Sequence, residues 1–115
     1  MPQQDGKIDY VELPGGDLGA TKAFYVAAFG WGFVDYGPTY AGLEGAGLDG
    51  GFQSDPEAGL SRPLVVIYAH NLEAMEVKVR GAGGEITVPI FAFPGGRRFH
   101  FRDPAGNELA VWSQG

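Results

Sequence analysis

The fold is decided by a stretch near the start of the chain and by its counterpart in the second half. Residues 8–14 read IDYVELP and residues 62–68 read RPLVVIY, and both predict a strand that is followed at once by a helix. A shift of 54 residues superimposes the two stretches and brings Asp17 onto Asn71. Because the strands and the helix starts agree under one offset, we interpret the chain as an internal duplication.

The two predicted helices have matching boundaries. Asp17 and Asn71 are good N-cap residues, since their side-chain oxygens can accept from the unpaired amides of the first turn. Gly30 and Gly83 are predicted to end the helices in a left-handed conformation. A stripe at helical spacing is expected to face each sheet, with Leu18, Thr21, Tyr25 and Ala28 in the first helix and Leu72, Met75, Val79 and Ala82 in the second.

Three short strands are predicted after each helix, separated by turns that contain glycine or proline. We expect them at residues 31–36, 39–44 and 47–53 in the first half, and at residues 85–93, 97–103 and 107–113 in the second. Each half is then a β-α-β-β-β module. Module 1 covers residues 7–53, the linker residues 54–62 and module 2 residues 63–113. A chain of 115 residues has room for one domain, so the prediction is a single α+β domain over residues 1–115, in which both modules form a curved mixed sheet around a cleft.

The composition excludes several kinds of chemistry. The chain has no cysteine, which excludes disulfides, thiolate catalysis and cysteine-based metal sites. Its net charge of −6 repels nucleic acid and anionic membranes, and no apolar stretch is long enough to span a bilayer, so neither partner is expected. The first residues lack the basic flank and apolar run of a signal peptide, and a cytoplasmic location is the resulting expectation.

Two motifs carry a resemblance to a known family. Residues 11–18 read VELPGGDL and are followed by FY at 24–25 and FGW at 29–31, while residues 99–109 read FHFRDPAGNEL. In this order they resemble the opening of the first module and the closing turn of the second module in the vicinal-oxygen-chelate superfamily, which includes glyoxalases, bleomycin-resistance proteins and dioxygenases. The resemblance implies the glyoxalase/bleomycin-resistance fold. It also implies a homodimer, because relatives commonly form their clefts across two subunits.

The resemblance also implies where a divalent metal ion would be held. Enzymes of the family use His, Gln or Glu at positions that match Tyr10, Leu64 and Ala110 here. Glu44 and Asp49 are the carboxylates nearest to a fourth position, and the sequence leaves their role open. Since Leu64 and Ala110 offer no donor atom and one tyrosine is a poor substitute, we expect no metal ligands and no cofactor.

Alternation along the strands predicts which side chains line the cleft. The resemblance to fosfomycin-resistance relatives places His100 in the site. Arg98 is two residues before His100 on the same predicted strand and therefore faces the same side, and Glu12 faces the same side as Tyr10 for the same reason. These three are candidate catalytic residues, or alternatively an internal ion pair of Glu12 with Arg98 beside a hydrogen-bonded His100. The predicted ligand-binding residues are Tyr10, Leu64, Val66, Tyr68, Ala110 and Trp112, an apolar and aromatic lining that is typical of small-molecule sites.

Three functions are compatible with this pattern. The first is binding of a small organic molecule in a metal-free concave cleft, as implied by the resemblance to bleomycin-resistance proteins. The second is a cofactor-free isomerase, lyase or cyclase, in which Glu12 or His100 acts as general base and Arg98 stabilises a developing oxyanion. The third is a metal-dependent glyoxalase or dioxygenase with a non-standard site. The sequence favours the first and leaves open whether any reaction is catalysed.

Overall fold

The computed structural model describes residues 3–114, so the first two residues and the last residue of the predicted domain lie outside the described range. The chain divides into two compact units. The first unit is Tyr10–Leu64, and the second consists of the described residues of Met1–Asp9 and Val65–Gly115. Each unit combines one α-helix with a four-stranded mixed sheet, so the predicted α+β class is confirmed.

The first unit follows the predicted β-α-β-β-β order. Its elements are β1 (Ile8–Pro14), α1 (Leu18–Phe29), β2 (Gly32–Asp35), β3 (Tyr40–Glu44) and β4 (Gly50–Gln53). The part of β1 from Tyr10 onwards belongs to this unit. The strands are ordered β2-β3-β4-β1, with β1 parallel to β4 and the other pairs antiparallel. The predicted linker contains a short 3-10 helix, Pro56–Ala58.

The second unit repeats this order. Its elements are β5 (Leu64–Tyr68), α2 (Leu72–Gly81), β6 (Glu85–Phe93), β7 (Gly96–Arg102) and β8 (Glu108–Ser113). The part of β5 from Val65 onwards belongs to this unit. The strands are ordered β5-β8-β7-β6, with β5 parallel to β8 and the others antiparallel. The same element order and the same pattern of strand pairing in both units confirm the duplication.

The helix boundaries agree with the capping chemistry. Asp17 accepts a hydrogen bond from the Ala20 amide at 3.2 Å, and Asn71 accepts one from the Ala74 amide at 3.0 Å. Gly30 ends α1 with a φ of 72°, and Gly83 follows the end of α2 with a φ of 102°. Only glycine adopts such angles at little cost, so these two positions stop the helices.

Helix α2 covers one face of the second sheet. Leu72 is fully buried against Phe99 and Val111, and Met75 and Val79 pack on this core. Ala82, the last member of the predicted stripe, is exposed because the helix ends before it. A bidentate ion pair between Arg97 and Glu73, with distances of 2.5 and 3.1 Å, connects the sheet to the start of α2.

Helix α1 packs on its sheet mainly through one aromatic side chain. The Tyr25 ring stacks on Trp31 with centroids 4.7 Å apart and contacts Phe52 at 5.2 Å. Ala28, predicted to lie on the packed stripe, is exposed. Within residues 3–114, neither α1 nor α2 is long and apolar enough to cross a membrane.

One difference from the predicted boundaries has a local cause. Strand β4 begins at Gly50 rather than at residue 47, since Gly47 has a φ of 102° and cannot continue an extended strand there. The turn that joins β7 to β8 is held by Asp103, which accepts from the Ala105 amide and from the Asn107 amide and side chain. Hydrogen bonds from Asn107 lower the pKa of Asp103, and this residue has a structural role in the turn.

Candidate functional site

One face of the second sheet points away from α2 and carries six of the nine predicted site residues. The cross-strand register aligns Val66 with Ala110 and Ala110 with His100. A second row of neighbours on the same face is formed by Tyr68, Trp112 and Arg98. The side chains of Val66, Tyr68 and Ala110 are buried, and those of Arg98, His100 and Trp112 are half-buried. We call this set the imidazole face.

Aromatic side chains from β6 complete the imidazole face. Phe91 lies 5.9 Å from the His100 ring, and the Arg98 guanidinium lies 5.4 Å from the Phe91 ring and 5.6 Å from the Phe93 ring. Cations over ring faces are attracted by the ring quadrupole, so both phenylalanines hold the guanidinium in place. The Trp112 indole donates to the Asp9 carboxylate at 2.9 Å, which fixes its orientation.

The two nitrogens of His100 differ in their surroundings. Nδ1 lies 3.3 Å from a carboxylate oxygen of Glu108. Nε2 is buried and, among residues 3–114, has no hydrogen-bond partner. Burial lowers the pKa of His100, and the positive charge of Arg98 lowers it further, while Glu108 acts in the opposite direction. The result is an imidazole that favours its neutral form and keeps one nitrogen available.

The first unit has a polar cluster, which we call the tyrosine cluster and which consists of Tyr10, Glu12 and Tyr40. The two tyrosine hydroxyls are hydrogen-bonded to each other, and Tyr40 also donates to Glu12 at 3.4 Å. Glu12 is only 8% exposed. Burial raises the pKa of Tyr10 and raises that of Tyr40 far above the ordinary range, so both hydroxyls stay protonated. The cluster is a half-buried chain of two hydroxyl donors that ends on a buried carboxylate.

Glycines create the space for these rings. Gly51 pairs with Glu12 on one side and Gly42 on the other. A Cβ atom on Gly51 would lie 2.6 Å from Cε1 of Tyr40, and one on Gly42 would lie 2.9 Å from Cε2 of Tyr36. Both tyrosine rings therefore lie across the sheet surface where side chains are absent.

The remaining candidates lie elsewhere. Leu64 is buried at the first position of β5. Glu44 ends β3 and is exposed, and Asp49 is exposed but close enough for its charge to raise the pKa of Tyr10. His70 is exposed at the start of α2, where its amide donates to Asp5 at 2.8 Å. The roles of Leu64, Glu44 and Asp49 stay predictions.

Several neighbours of the site were not among the predicted residues. Glu108 shares a face with Ala110 and Trp112 by simple alternation, so its sequence position was a usable signal. Thr87 and Phe91 gave no such signal, because β6 is shifted in register between Ile86 and Val88 and again between Val88 and Phe91. Tyr40 was hidden by the glycines around it, which left the parity of β3 and β4 undetermined.

The donor atoms do not fit a family metal site. Tyr10 offers a hydroxyl that is bonded to Tyr40, while Leu64 and Ala110 offer no donor. Within the described part of the chain, no three His, Cys, Asp or Glu side chains come together in a way that could hold an ion. A divalent ion requires several oxygen or imidazole ligands that converge on one point.

The duplicated β-α-β-β-β units, the caps and the closing turn agree with a family match over nearly the whole chain. Residues 7–111 match the Glyoxalase/Bleomycin resistance protein/Dioxygenase superfamily. The chain belongs to this superfamily. It is 29% identical over 120 aligned positions to "Putative glyoxylase CFP32" of Mycobacterium bovis and of Mycobacterium tuberculosis. That match covers 95% of this chain and 46% of the relative, so the chain spans about half the length of these relatives.

Several solved structures share the fold. A superfamily member from Vibrio splendidus 12B01 superimposes with a TM-score of 0.70 at 16% identity, covering 94% of this chain and 98% of that one. A Mn(II)-bound glyoxalase from Novosphingobium aromaticivorans gives 0.67 at 22% identity, covering 98% and 40%. Methylmalonyl-CoA epimerase from Mycobacterium tuberculosis gives 0.68 at 16% identity, covering 100% and 93%. At these identities the likeness establishes the fold alone.

Proposed function

We propose that this protein binds a small organic molecule on the imidazole face without using a metal ion. The observation that carries the proposal is the buried Nε2 of His100, which lacks a hydrogen-bond partner among residues 3–114. A buried polar atom without a partner costs free energy, and a ligand that supplies the partner recovers it. The aromatic rings of Phe91 and Trp112 beside it offer apolar contact area.

Amide chemical shifts can test this proposal with two probes that the relatives suggest. Metal-free bleomycin represents the drug in the superfamily description, and methylmalonyl-CoA is the ligand of one structural neighbour. We expect at least one probe to shift the amides of Val66, His100 and Trp112 selectively. His100→Ala should abolish the shifts, whereas His70→Ala, a change at the exposed histidine, should leave them intact. If neither probe moves these amides at saturating concentration, the proposal is wrong.

A second candidate function is cofactor-free proton transfer, as in an isomerase, lyase or cyclase. It is favoured by the lowered pKa of His100, because a neutral imidazole can accept a proton near neutral pH, and by the nearby Arg98 charge, which could stabilise an oxyanion. The structural likeness to methylmalonyl-CoA epimerase is compatible with this chemistry but concerns the fold only.

Deuterium exchange separates catalysis from binding. Methylmalonyl-CoA incubated with the protein in D2O should exchange its α-hydrogen if His100 acts as a base, and His100→Ala should stop the exchange. Glu12→Gln tests the other predicted base, which belongs to the tyrosine cluster. Binding without any exchange would leave the protein as a binding protein, and equal exchange in both variants would remove both residues from the reaction.

We also propose that the protein forms the homodimer expected from its relatives. The outer side of α1 supports this, because Phe24 and Phe29 are 58% and 63% exposed and Lys22 is the only charged residue of the helix. Apolar surface of this kind is typical of protein interfaces. Light scattering after gel filtration should give a dimer for the wild type and a folded monomer for Phe24→Glu/Phe29→Glu. A monomeric wild type would contradict this proposal.

A further inference from the structure

The ring orientation of His100 is determined by groups on two neighbouring strands. Glu108 on β8 lies on the same face as His100, and its Oε2 atom is 3.3 Å from Nδ1. The same oxygen accepts from the Thr87 hydroxyl of β6 at 3.1 Å. Thr87 reaches this point because it is the extra residue where Ile86 pairs with Phe101 and Val88 pairs with His100. Such a bulge redirects a side chain that regular alternation would not place there.

The charge of Glu108 fixes which nitrogen of His100 carries hydrogen. An ionised carboxylate can only accept hydrogen bonds, so a bond between Glu108 and Nδ1 requires hydrogen on Nδ1. In a neutral imidazole the other nitrogen then has a lone pair and no hydrogen. The neutral form is the one favoured here, because burial and Arg98 lower the pKa of His100.

We infer that Glu108 is a positioning residue that holds His100 as the Nδ1–H tautomer, so that Nε2 accepts a hydrogen bond from the ligand. The second part rests on the proposed binding function, while the tautomer is a property of the free protein. The inference defines the ligand by chemistry. The group that meets Nε2 is a donor, such as a hydroxyl, an amide N–H or a weakly acidic C–H.

The same geometry predicts which groups the site rejects at this point. A carboxylate or phosphate oxygen opposite Nε2 would place two lone pairs against each other, and it would gain no hydrogen bond in return for its lost hydration. Phe91, 5.9 Å from the His100 ring, limits the space into which the imidazole could turn to present Nδ1 instead. The ligand therefore directs a neutral donor toward His100.

Nitrogen NMR of the free protein tests the tautomer. The chain has two histidines, and the exposed His70 provides an internal reference in the same spectrum. At about pH 7.5, where a neutral imidazole dominates, we expect the protonated-nitrogen shift at Nδ1 of His100 and the lone-pair shift at Nε2. In Glu108→Ala this preference should be lost and His100 should resemble His70. The control Glu85→Ala removes an exposed carboxylate that pairs with Arg102, and it should leave the His100 shifts unchanged.

The wild-type spectrum alone can overturn the inference, even if Glu108→Ala does not fold. Hydrogen on Nε2 of His100 in the wild type, or the same tautomer in folded Glu108→Ala, would show that Glu108 does not set the ring. Addition of bleomycin or methylmalonyl-CoA tests the ligand part separately. A probe that moves the amides of the imidazole face should also move the Nε2 resonance. If the probe shifts the amide resonances but not the Nε2 resonance, the proposed binding function stands, and the claim that the ligand donates a hydrogen bond to Nε2 is wrong.

Discussion

At the scale of single residues, His100 lies between two groups with opposite effects on its protonation. Burial disfavours the imidazolium ion most strongly, Arg98 on the same strand disfavours it further, and Glu108 on β8 favours it. The side chain of His100 is 13% exposed, so water screens these charges only in part. The remaining neighbours on β6, Thr87 and Phe91, carry no charge.

The lowered pKa of His100 makes stability depend on pH in a predictable direction. The native protein binds this proton more weakly than the unfolded chain, whose pKa is near the ordinary 6.5. Stability from this group is therefore complete above the unfolded pKa and falls as pH decreases. From about pH 7.5 to about pH 5.5, we expect the free energy of unfolding to decrease more in the wild type than in His100→Gln.

Urea denaturation at a series of pH values measures this difference. His70→Gln, a change at the exposed histidine, is the matched control. Glu73 and Asp103, whose pKa values are lowered, titrate below this pH interval and therefore do not contribute to the slope within it. An equal slope in His100→Gln and in the wild type would contradict the prediction.

A second prediction at this scale concerns the glycine beneath Tyr40. Gly51→Ala places a methyl group where the Tyr40 ring lies, so the ring has to move away from Tyr10 and Glu12. Overpacking of this kind costs about 1–3 kcal/mol. Denaturant unfolding should show this loss. Gly19→Ala in α1 meets only Oδ1 of Asp17, at an ordinary contact distance of 3.7 Å. It should instead stabilise by about 0.4–1 kcal/mol, because it reduces the freedom of the unfolded chain.

Single residues were predictable from the sequence where the strands are regular. Strands β7 and β8 pair without interruption from Arg97 to Arg102. The family resemblance indicated His100, and alternation then placed Arg98 on the same face, which is the face of Ala110 and Trp112. In the first unit, the position of Tyr40 depends on a missing side chain at Gly51 rather than on a pattern. The Tyr40 ring and Gly51 are neighbours only because their strands pair, and the order of residues along the chain does not reveal this contact.

At the scale of elements, α2 depends on one anchor. Leu72 is fully buried at its first position, whereas Val77 on the same helix is 70% exposed. Leu72→Ala should cost about 2–5 kcal/mol because it leaves a cavity against Phe99 and Val111. Val77→Ala should change stability by less than about 0.5 kcal/mol. Thermal or urea denaturation of both variants checks this contrast, and similar losses in the two would be evidence against a single anchor.

The elements themselves were largely predictable, since N-cap residues, glycine stops and short apolar runs are local signals. The irregularities of β6 were not. Its nine residues include two shifts in register, which bring Thr87 to Glu108 and Phe91 to the ring of His100. A bulge is chosen by how a strand fits its neighbour, and the residues of β6 alone do not specify it.

At the scale of the whole molecule, two copies of one architecture carry different chemistry. The first unit holds a half-buried hydrogen-bonded chain of Tyr10, Tyr40 and Glu12, and the second holds His100 near Arg98 and Glu108. Duplication thus preserved the caps and strand order while the sheet surfaces diverged. A cytoplasmic location and the lack of a nucleic-acid partner stay predictions from charge and composition.

The irregular strand β6 also has a consequence for how separate molecules behave toward one another. It is the outermost strand in the order β5-β8-β7-β6, and a long outer strand can template the growth of aggregates by strand addition. Pro89 lies in its middle, lacks an amide hydrogen, and falls within the second register shift, between Val88 and Phe91. Pro89→Val should restore a continuous rim of donors, so light scattering of concentrated samples on prolonged incubation should rise faster than for the wild type. The proline at the irregular part of this strand near Phe91 would then also keep neighbouring molecules apart.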